Sequence, residues 1–255
     1  MNNFVPQSHL LGQKPVIVNV FNYQKPAAGK PSLISFDEVG TMYHEFGHTL
    51  HGLFANQKYV SISGTNTPRD FVEFPSQINE HFALEPEILK NYALHYQTKQ
   101  PMPQALIDKI KKAANFNQGY ATTELVAAAT LDMNWHTVTD EKQLIPVLDF
   151  EKQALDKYGL LVPQVPPRYH TPYFAHIWGG GYSAGYYAYL WSETLDSDAW
   201  EWIKANGGLT RENGDRFRKY ILSVGNSVDL NKAFEEFTGH KADIKPLLRS
   251  RGFSK

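Results

Sequence analysis

Three residues of the segment HEFGH have the types and spacing to hold a metal ion and activate water. His44 and His48 lie four residues apart, which places both imidazoles on one face of a helix, one turn apart. Glu45 directly follows His44, so its carboxylate lies beside that face and could take a proton from water. The alternative is a surface helix with two unrelated histidines, and this short motif alone does not exclude it.

The segment that carries the motif has the signals of an amphipathic helix. Ser35 is followed three residues later by Glu38, which matches a capping box. Gly47 is a poor helix former, by about 1 kcal/mol relative to alanine. Its position before His48 therefore suggests that another backbone segment or a substrate packs closely there. Apolar residues recur at helical spacing, at Val39, Met42, Tyr43, Phe46, Leu50, Leu53 and Phe54.

A hydrolytic zinc site needs three protein ligands and an open position. The chain has no cysteine, so the third ligand must be His, Asp or Glu. Glu73 begins the next helix after His48, and a helix that turns back would bring it to the metal. Glu80 and Glu85 follow in the same stretch and remain alternatives at this point. His51 is expected to support the site or lie on the surface rather than bind the metal.

Composition excludes several classes of partner. The chain has 255 residues, of which 42% are hydrophobic, so it can form a core. Its net charge of −1 does not favour binding to nucleic acid or to an anionic membrane. The start, MNNFVPQSHLLGQKP, lacks the pattern of a signal peptide. No apolar run approaches the ~20 residues that span a bilayer. Together with the lack of cysteine, these features predict a cytoplasmic protein.

Sequence patterns predict a mainly helical fold with a small β-sheet beside the metal helix. Residues 1–15 are predicted to be irregular and Leu161–Phe174, with its four prolines, to be a long loop. Strands are predicted at Val16–Tyr23, Ser32–Phe36 and Lys58–Ser63. From Arg69 two helices meet near Pro86, and further helices are predicted at Pro103–Ala114, Tyr120–Val138, Phe150–Tyr158, Ser183–Ala205, Thr210–Val224, Ser227–Thr238 and Asp243–Arg249.

A glycine-rich segment with tyrosines is a second candidate part of a site. Tyr182, Tyr186 and Tyr189 share one face of the predicted helix, and such a stripe taken alone is typical of a core. The three glycines before Tyr182 favour a mobile backbone that a substrate can approach closely. The spacing therefore leaves both interpretations open.

Three segments in this order resemble the thimet oligopeptidase family of zinc metallopeptidases, and within it the bacterial peptidyl-dipeptidases. They are HEFGHTLHGLF, SGTNTPRDFVEFPSQINEH and HIWGGGYSAGYYAYLWSE. The resemblance runs from about Lys14 to Arg249 and implies a zincin-type helical catalytic domain over residues 1–255, with one zinc ion per chain. It implies a peptidase that releases C-terminal dipeptides from short peptides. An oligoendopeptidase and a non-catalytic, metal-containing partner subunit remain alternatives.

The resemblance also implies roles for the residues around the metal. His44, His48 and Glu73 match the metal ligands, and Glu45 matches the general base. A ligand histidine needs a partner on its second nitrogen. Glu80, two turns after Glu73 on the same face, is expected to provide it.

Substrate-facing roles follow for the tyrosine segment. His176, Tyr182 and Tyr189 match positions that face the substrate in the resembled family, where their donors would stabilise an oxyanion. Tyr186 and Tyr187 are expected to belong to the core or the pocket wall.

Binding of the substrate's terminal carboxylate calls for a cation or several donors. Arg168, Tyr169 and His170 are the predicted candidates, because they lie in the long loop before His176. Arg69, close to Glu73, is expected to hold its own loop instead.

Members of the resembled family are much longer, with a second helical half that precedes the zinc-binding half. This sequence begins 43 residues before His44, so we expect it to correspond to the C-terminal half of that architecture. The surface that would meet the other half is expected to be apolar and exposed, and to favour self-association or a partner.

Overall fold

Helices dominate the computed structural model, which describes residues 1–254. Short 3₁₀ segments lie at Val60–Ile62, His81–Leu84, Glu141–Gln143 and Thr171–Tyr173, and Arg218–Leu222 forms a π-helical turn. The α-helices of the described residues are α1 Phe36–Leu53, α2 Arg69–Val72, α3 Phe74–Glu80, α4 Pro86–Tyr92, α5 Gln104–Ala113, α6 Gln118–His136, α7 Val147–Asp156, α8 Ala175–Trp178, α9 Ala188–Ala205, α10 Arg211–Phe217, α11 Leu230–Thr238 and α12 Lys245–Ser250.

The sheet consists of two antiparallel strands, β1 Asn2–Val5 and β2 Val16–Val18. The predicted mainly helical fold with a small sheet beside the metal helix is confirmed, since Ile17 of β2 packs against Gly52 of α1. However, only the first part of the predicted strand Val16–Tyr23 is extended, and its partner was predicted to be irregular. Strand pairing between distant segments depends on tertiary contacts that local pattern does not reveal.

Two of the predicted strands are wrong. Ser32–Phe36 forms no strand because it leads into α1, where Ser35 is the N-cap. Lys58–Ser63 contains the 3₁₀ turn Val60–Ile62 instead of a strand. The carbonyl of Val60 accepts a hydrogen bond from Asn66 Nδ2 (2.8 Å), and that of Ile62 accepts one from the amide of Asn226 (2.9 Å). These contacts override the β-propensity of the segment.

Three of the predicted helices are shortened or divided in the structure. The helix predicted at Ser183–Ala205 begins only at Ala188, because Ala184 has a left-handed backbone with φ of 51°. The helix predicted at Thr210–Val224 is divided into α10 and the π-helical turn. The first of the two helices predicted from Arg69 is divided into α2, α3 and the 3₁₀ segment His81–Leu84, and Glu73 lies at the first break. The remaining predicted helices are present with ends shifted by a few residues.

The described residues form two compact units. Unit 1 comprises Met1–Ala114 and residues 192–254, and unit 2 comprises Asn115–Trp191. No helix among residues 1–254 is long and apolar enough to cross a membrane. Unit 1 has a core of Phe71, Phe74, Ile78, Leu195, Ala199, Trp200, Ile203, Ile221, Phe234 and Phe237. Unit 2 has two smaller clusters, one of Ala127, Leu131, Ala154 and Leu155 and one of Ala128, Phe174, Ile177 and Tyr186.

Helices α1 and α3 of unit 1 approach so closely that only glycine fits at position 47. A Cβ atom on Gly47 would lie 2.4 Å from the carbonyl oxygen of Pro75 and 2.6 Å from Cα of Ser76. One turn along, Asn79 Nδ2 donates a hydrogen bond to the carbonyl of Tyr43 (2.6 Å). The poor helix former thus marks a backbone contact between the helix that carries HEFGH and the helix that follows Glu73.

We expect Gly47→Ala to lower the free energy of unfolding by about 1–3 kcal/mol, since the added methyl group forces α1 and α3 apart. Gly40→Ala on the same helix is the matched control, because a Cβ atom there meets nothing within 4 Å. That control should gain up to about 1 kcal/mol from helix propensity. Urea denaturation measures both values, and equal effects of the two substitutions would contradict this account of the contact.

Candidate metal centre

The potential ligand atoms of the candidate centre come from α1 and from the junction of α2 and α3. Helix α1 is fixed at its start by a capping box, in which Ser35 Oγ accepts from the amide of Glu38 (3.2 Å) and Glu38 Oε2 accepts from the amide of Ser35 (2.6 Å). Further along α1, Nε2 of His44 and Nε2 of His48 lie 3.2 Å and 3.1 Å from the same oxygen, Oε2 of Glu73. Three potential ligand atoms therefore converge on one point.

Glu73 is buried, and its carboxylate is oriented by a neighbour that the sequence analysis missed. The hydroxyl of Ser76 lies 2.8 Å from the main-chain carbonyl of Glu73 and 3.1 Å from Oε2. The available signal was the serine three residues after the glutamate, a spacing that places it over the first helical turn. The two histidines hold the pKa of Glu73 far below its usual range, although burial alone would raise it.

The second ring nitrogens of the two histidines have different surroundings. Nδ1 of His44 lies 2.7 Å from Oε1 of Glu80, the residue expected to support a ligand histidine. Nδ1 of His48 is buried and has no hydrogen-bond partner among the described residues. The ring of His44 is thus oriented by Glu73 at one nitrogen and by Glu80 at the other. The ring of His48 is held by Glu73 and by packing.

The donor set fits a divalent cation. His44 has a carboxylate at each ring nitrogen, so without a metal both nitrogens must carry a proton. Burial lowers the pKa of His44, but its hydrogen bonds to Glu73 and Glu80 outweigh burial and raise the pKa to about 10. A metal ion bound by His44 would replace one of these protons. Ligand atoms of a tetrahedral zinc ion are roughly 3.3 Å apart, from bonds of about 2.0 Å. The observed nitrogen–oxygen separations of 3.1 and 3.2 Å match this spacing.

Glu45 lies next to the ligand face and is not one of the three converging residues. Its side chain is largely buried, and Oε2 pairs with the amino group of Met1. The role of general base stays a prediction for this carboxylate.

His51 is fully buried and is not part of the converging set. Burial, and secondarily the charge of His48, lower its pKa to about 3, so the ring is neutral. Both ring nitrogens lack a hydrogen-bond partner within residues 1–254. The surface position expected as one alternative for His51 is wrong, because the residue is internal, and its role in supporting the site stays a prediction.

The predicted substrate-facing residues of unit 2 form one aromatic cluster. The rings of Tyr182 and Tyr189 stack at 5.2 Å, and the ring of His176 lies 5.8 Å and 6.2 Å from them. Tyr186 lies under this group, 5.4 Å from His176, and is buried, whereas Tyr187 is exposed. The shared helix face predicted for the tyrosines is wrong, because Tyr182 and Tyr186 precede α9. A turn of irregular backbone brings the rings together instead.

The glycines before Tyr182 form a hydrogen-bonded turn that closes α8. The amides of Gly179 and Gly180 both donate to the carbonyl of Ala175, at 3.0 and 2.8 Å. A Cβ atom on Gly180 would lie 2.9 Å from Cα of His176. Glycine is therefore required here for close backbone packing, in place of the mobile backbone that the sequence suggested.

The segment predicted to bind a carboxylate has partners within unit 2. Nη1 of Arg168, whose side chain is about half exposed, lies 3.2 Å from Oε1 of Glu124. The ring of Tyr169 lies 5.0 Å from that of His176, so it joins the aromatic cluster. Nδ1 of His170 lies 2.8 Å from Oε2 of Glu151, a buried carboxylate that also accepts from the amide of Thr171. Arg168 and Tyr169 are thus close to the cluster, whereas His170 anchors its own loop.

Comparison with known proteins agrees with these features. The family model described as Peptidase family M3 matches residues 1–253. The chain is 55% identical to the dipeptidyl carboxypeptidase of Escherichia coli (strain K12) over 254 residues, which is 100% of the chain and 37% of that protein. It is 54% identical to the dipeptidyl carboxypeptidase of Salmonella typhimurium over 255 residues, 100% of the chain and 38% of that protein. Oligopeptidase A of Salmonella typhimurium is 35% identical over 244 residues, 94% of the chain and 35% of that protein. The chain therefore spans little more than a third of the length of these relatives.

We expect Glu73→Ala to reduce bound zinc to the background level, because it removes the oxygen on which both histidines converge. Glu80→Ala should keep the site but weaken zinc affinity by roughly 10- to 100-fold, as for other residues that orient a ligand histidine. Glu87→Ala, at an exposed glutamate of α4, is the control and should leave zinc affinity unchanged. Metal analysis after dialysis measures all three. Loss of zinc in Glu80→Ala but not in Glu73→Ala would contradict the assignment of the ligands.

Proposed function

This chain belongs to peptidase family M3, and we propose that it is the catalytic part of a zinc-dependent peptidase that releases dipeptides from the C-termini of short peptides. The observation that carries this proposal is the convergence of His44, His48 and Glu73, with Glu45 directly after His44 on α1. The release of dipeptides is supported by the identity of 55% with a dipeptidyl carboxypeptidase. A second candidate, cleavage within oligopeptides, is favoured by the weaker similarity to oligopeptidase A.

In the proposed reaction, His44, His48 and Glu73 hold one zinc ion. When bound, zinc polarises the scissile carbonyl and increases the acidity of water. The carboxylate of Glu45 accepts a proton from the attacking water and later donates it to the leaving amine. Glu80 keeps the ring of His44 in place through its Nδ1 atom.

Residues of unit 2 are proposed to stabilise charge on the substrate. The hydroxyls of Tyr182 and Tyr189 and the imidazole of His176 would donate hydrogen bonds to the oxyanion that develops on the scissile carbonyl. Their grouping into one cluster supports this role, because stacked rings hold the donors in fixed positions.

An apolar surface around the sheet is proposed to bind a partner or a second copy of the chain. Phe4 and Val20 are 72% and 78% exposed, and Leu10 and Leu11 are exposed as well. Large exposed apolar groups of this kind are typical of interaction sites. A reducing compartment such as the cytoplasm remains part of the proposal, since the 255 residues contain no cysteine.

We expect Glu45→Gln to lower peptide hydrolysis by about 100- to 10,000-fold while zinc content stays at the parent level, because glutamine keeps the shape of the side chain but accepts no proton. Hydrolysis of a blocked tripeptide, with and without added zinc, measures the effect. Glu38→Gln in the first turn of the same helix is the control for helix stability. Loss of zinc from Glu45→Gln would show that Glu45 supports the centre structurally, and parent-level hydrolysis would exclude it as the general base.

Arg168 is proposed to bind the C-terminal carboxylate of the substrate, with Tyr169 beside it. We expect Arg168→Ala to lower kcat/KM roughly tenfold for a peptide with a free carboxylate, which corresponds to a loss of about 1.5 kcal/mol in transition-state stabilisation. The kcat/KM for the amidated peptide should stay at the parent value. Arg211→Ala is the control, since Arg211 is also an exposed arginine paired with a carboxylate, Asp215. Equal losses on both peptides, or no preference of the parent for the free acid, would exclude this role and favour cleavage within oligopeptides.

A further inference from the structure

A buried carboxylate of unit 2 holds the turn between α8 and α9. Asp132 lies on α6 and is fully buried. Its Oδ1 accepts a hydrogen bond from the amide of Ala184 and its Oδ2 accepts one from the amide of Tyr186, both at 2.8 Å. Nδ1 of His136, one turn along α6, lies 2.9 Å from Oδ1 and 2.9 Å from the main-chain carbonyl oxygen of Asp132. One side chain thus binds two amides of the segment that contains the predicted substrate-facing tyrosines.

The backbone at Ala184 needs this support. Its φ of 51° lies in the left-handed region, which costs an alanine about 1–2 kcal/mol relative to a right-handed turn. The continuous helix predicted from Ser183 onward is the local alternative to this conformation. Because Ala184 itself is exposed, packing of its side chain does not enforce the turn. The hydrogen bond from its amide to Asp132 stabilises the turn, together with the hydrogen bond that Ser183 Oγ donates to the carbonyl of Ile177 (2.6 Å).

The same turn determines where the ring of Tyr182 lies. The amide of Tyr182 donates to the carbonyl of His176 (2.9 Å), and its carbonyl accepts from the amide of Gly185 (2.8 Å). These bonds place the Tyr182 ring flat against Tyr189 of α9, at an interplanar angle of 11°. If residues 183–187 became helical, Tyr182 would no longer have this position, since its neighbours on both sides would rotate.

We propose that Asp132 is a positioning residue for Tyr182: the carboxylate holds Ala184 and Tyr186 in the turn that stacks Tyr182 on Tyr189. This role rests on the proposed function, in which Tyr182 donates to the oxyanion. Asp132 itself is fully buried and touches no substrate. Its contribution is therefore expected in kcat, through the placement of a donor, rather than in metal binding.

The first test compares Asp132→Asn with Asp198→Asn. Asparagine keeps the shape of aspartate but offers one acceptor oxygen, so the amide of Ala184 or that of Tyr186 loses its partner. Asp198 is a matched control because it is also a buried carboxylate and accepts from the amide of Asp243 at 2.9 Å in unit 1. We expect Asp132→Asn to lower kcat for a blocked tripeptide by about 10- to 100-fold with little change in KM. Zinc content and the activity of Asp198→Asn should remain at parent values.

A second pair of variants changes the turn without altering the core. Ala184→Pro removes the donated amide hydrogen and cannot adopt a positive φ, so it should reproduce the loss of kcat seen in Asp132→Asn. Ala184→Gly keeps the amide hydrogen and favours a positive φ, so it should retain parent activity. Parent-like kcat in both Asp132→Asn and Ala184→Pro, or an equal loss in Asp198→Asn, would overturn the proposed role.

Amide hydrogen exchange at Tyr186 and Ala184 gives a readout that does not depend on catalysis. In Asp132→Asn, at least one of these amides should exchange about tenfold faster or more than in the parent, while core amides stay protected. Unchanged exchange at both amides would overturn the proposal even if activity fell. A parent protein that cleaves no peptide would contradict the proposed function instead, and the exchange rates would still decide whether Asp132 holds the turn.

Discussion

The candidate site of unit 1 depends on the close contact between α1 and α3. Because Gly47 has no side chain, the backbone of residues 75 and 76 can lie against α1. This contact brings Oε2 of Glu73 within 3.2 Å of both histidine nitrogens. A bulkier residue at position 47 would separate the carboxylate from the histidines even if every ligand were present. The ligand geometry therefore follows from helix packing as much as from the HEFGH motif.

Buried carboxylates perform a comparable task in unit 2, where the chain has long irregular segments. Glu151 of α7 binds the amide of Thr171 and the ring of His170, and Asp132 of α6 binds the turn that follows α8. Each replaces the backbone partners that an irregular segment lacks, which is why such acids are tolerated in the interior. The aromatic cluster around His176 is thus held by side-chain acceptors on two helices rather than by one regular element.

The two histidines of the candidate site could be predicted from sequence because their signals are local, whereas Glu73 was selected over Glu80 and Glu85 by the family resemblance. The spacing of His44 and His48 and the capping box at Ser35 are properties of a single helix, and the helix formed as predicted. The prediction of a strand at Lys58–Ser63 is wrong because contacts with Asn66 and Asn226 outweigh the β-propensity of its residues. The predicted start of α9 is wrong because the chain forms a left-handed turn at Ala184. This turn is stabilised by Asp132, which lies 52 residues earlier, so no local pattern reveals it. Local signals predicted the helices, whereas long-range hydrogen bonds set the irregular parts.

We propose that one zinc ion, held by His44, His48 and Glu73, gives this chain its peptidase activity. Stepwise return of zinc to the chelator-treated protein, with hydrolysis of a blocked tripeptide measured at each step, tests it most directly. The account predicts that hydrolysis is absent without zinc, rises in proportion to bound zinc and reaches its maximum at one ion per chain. Hydrolysis that persists in the chelator-treated protein, or zinc that binds at one ion per chain without restoring hydrolysis, would contradict it.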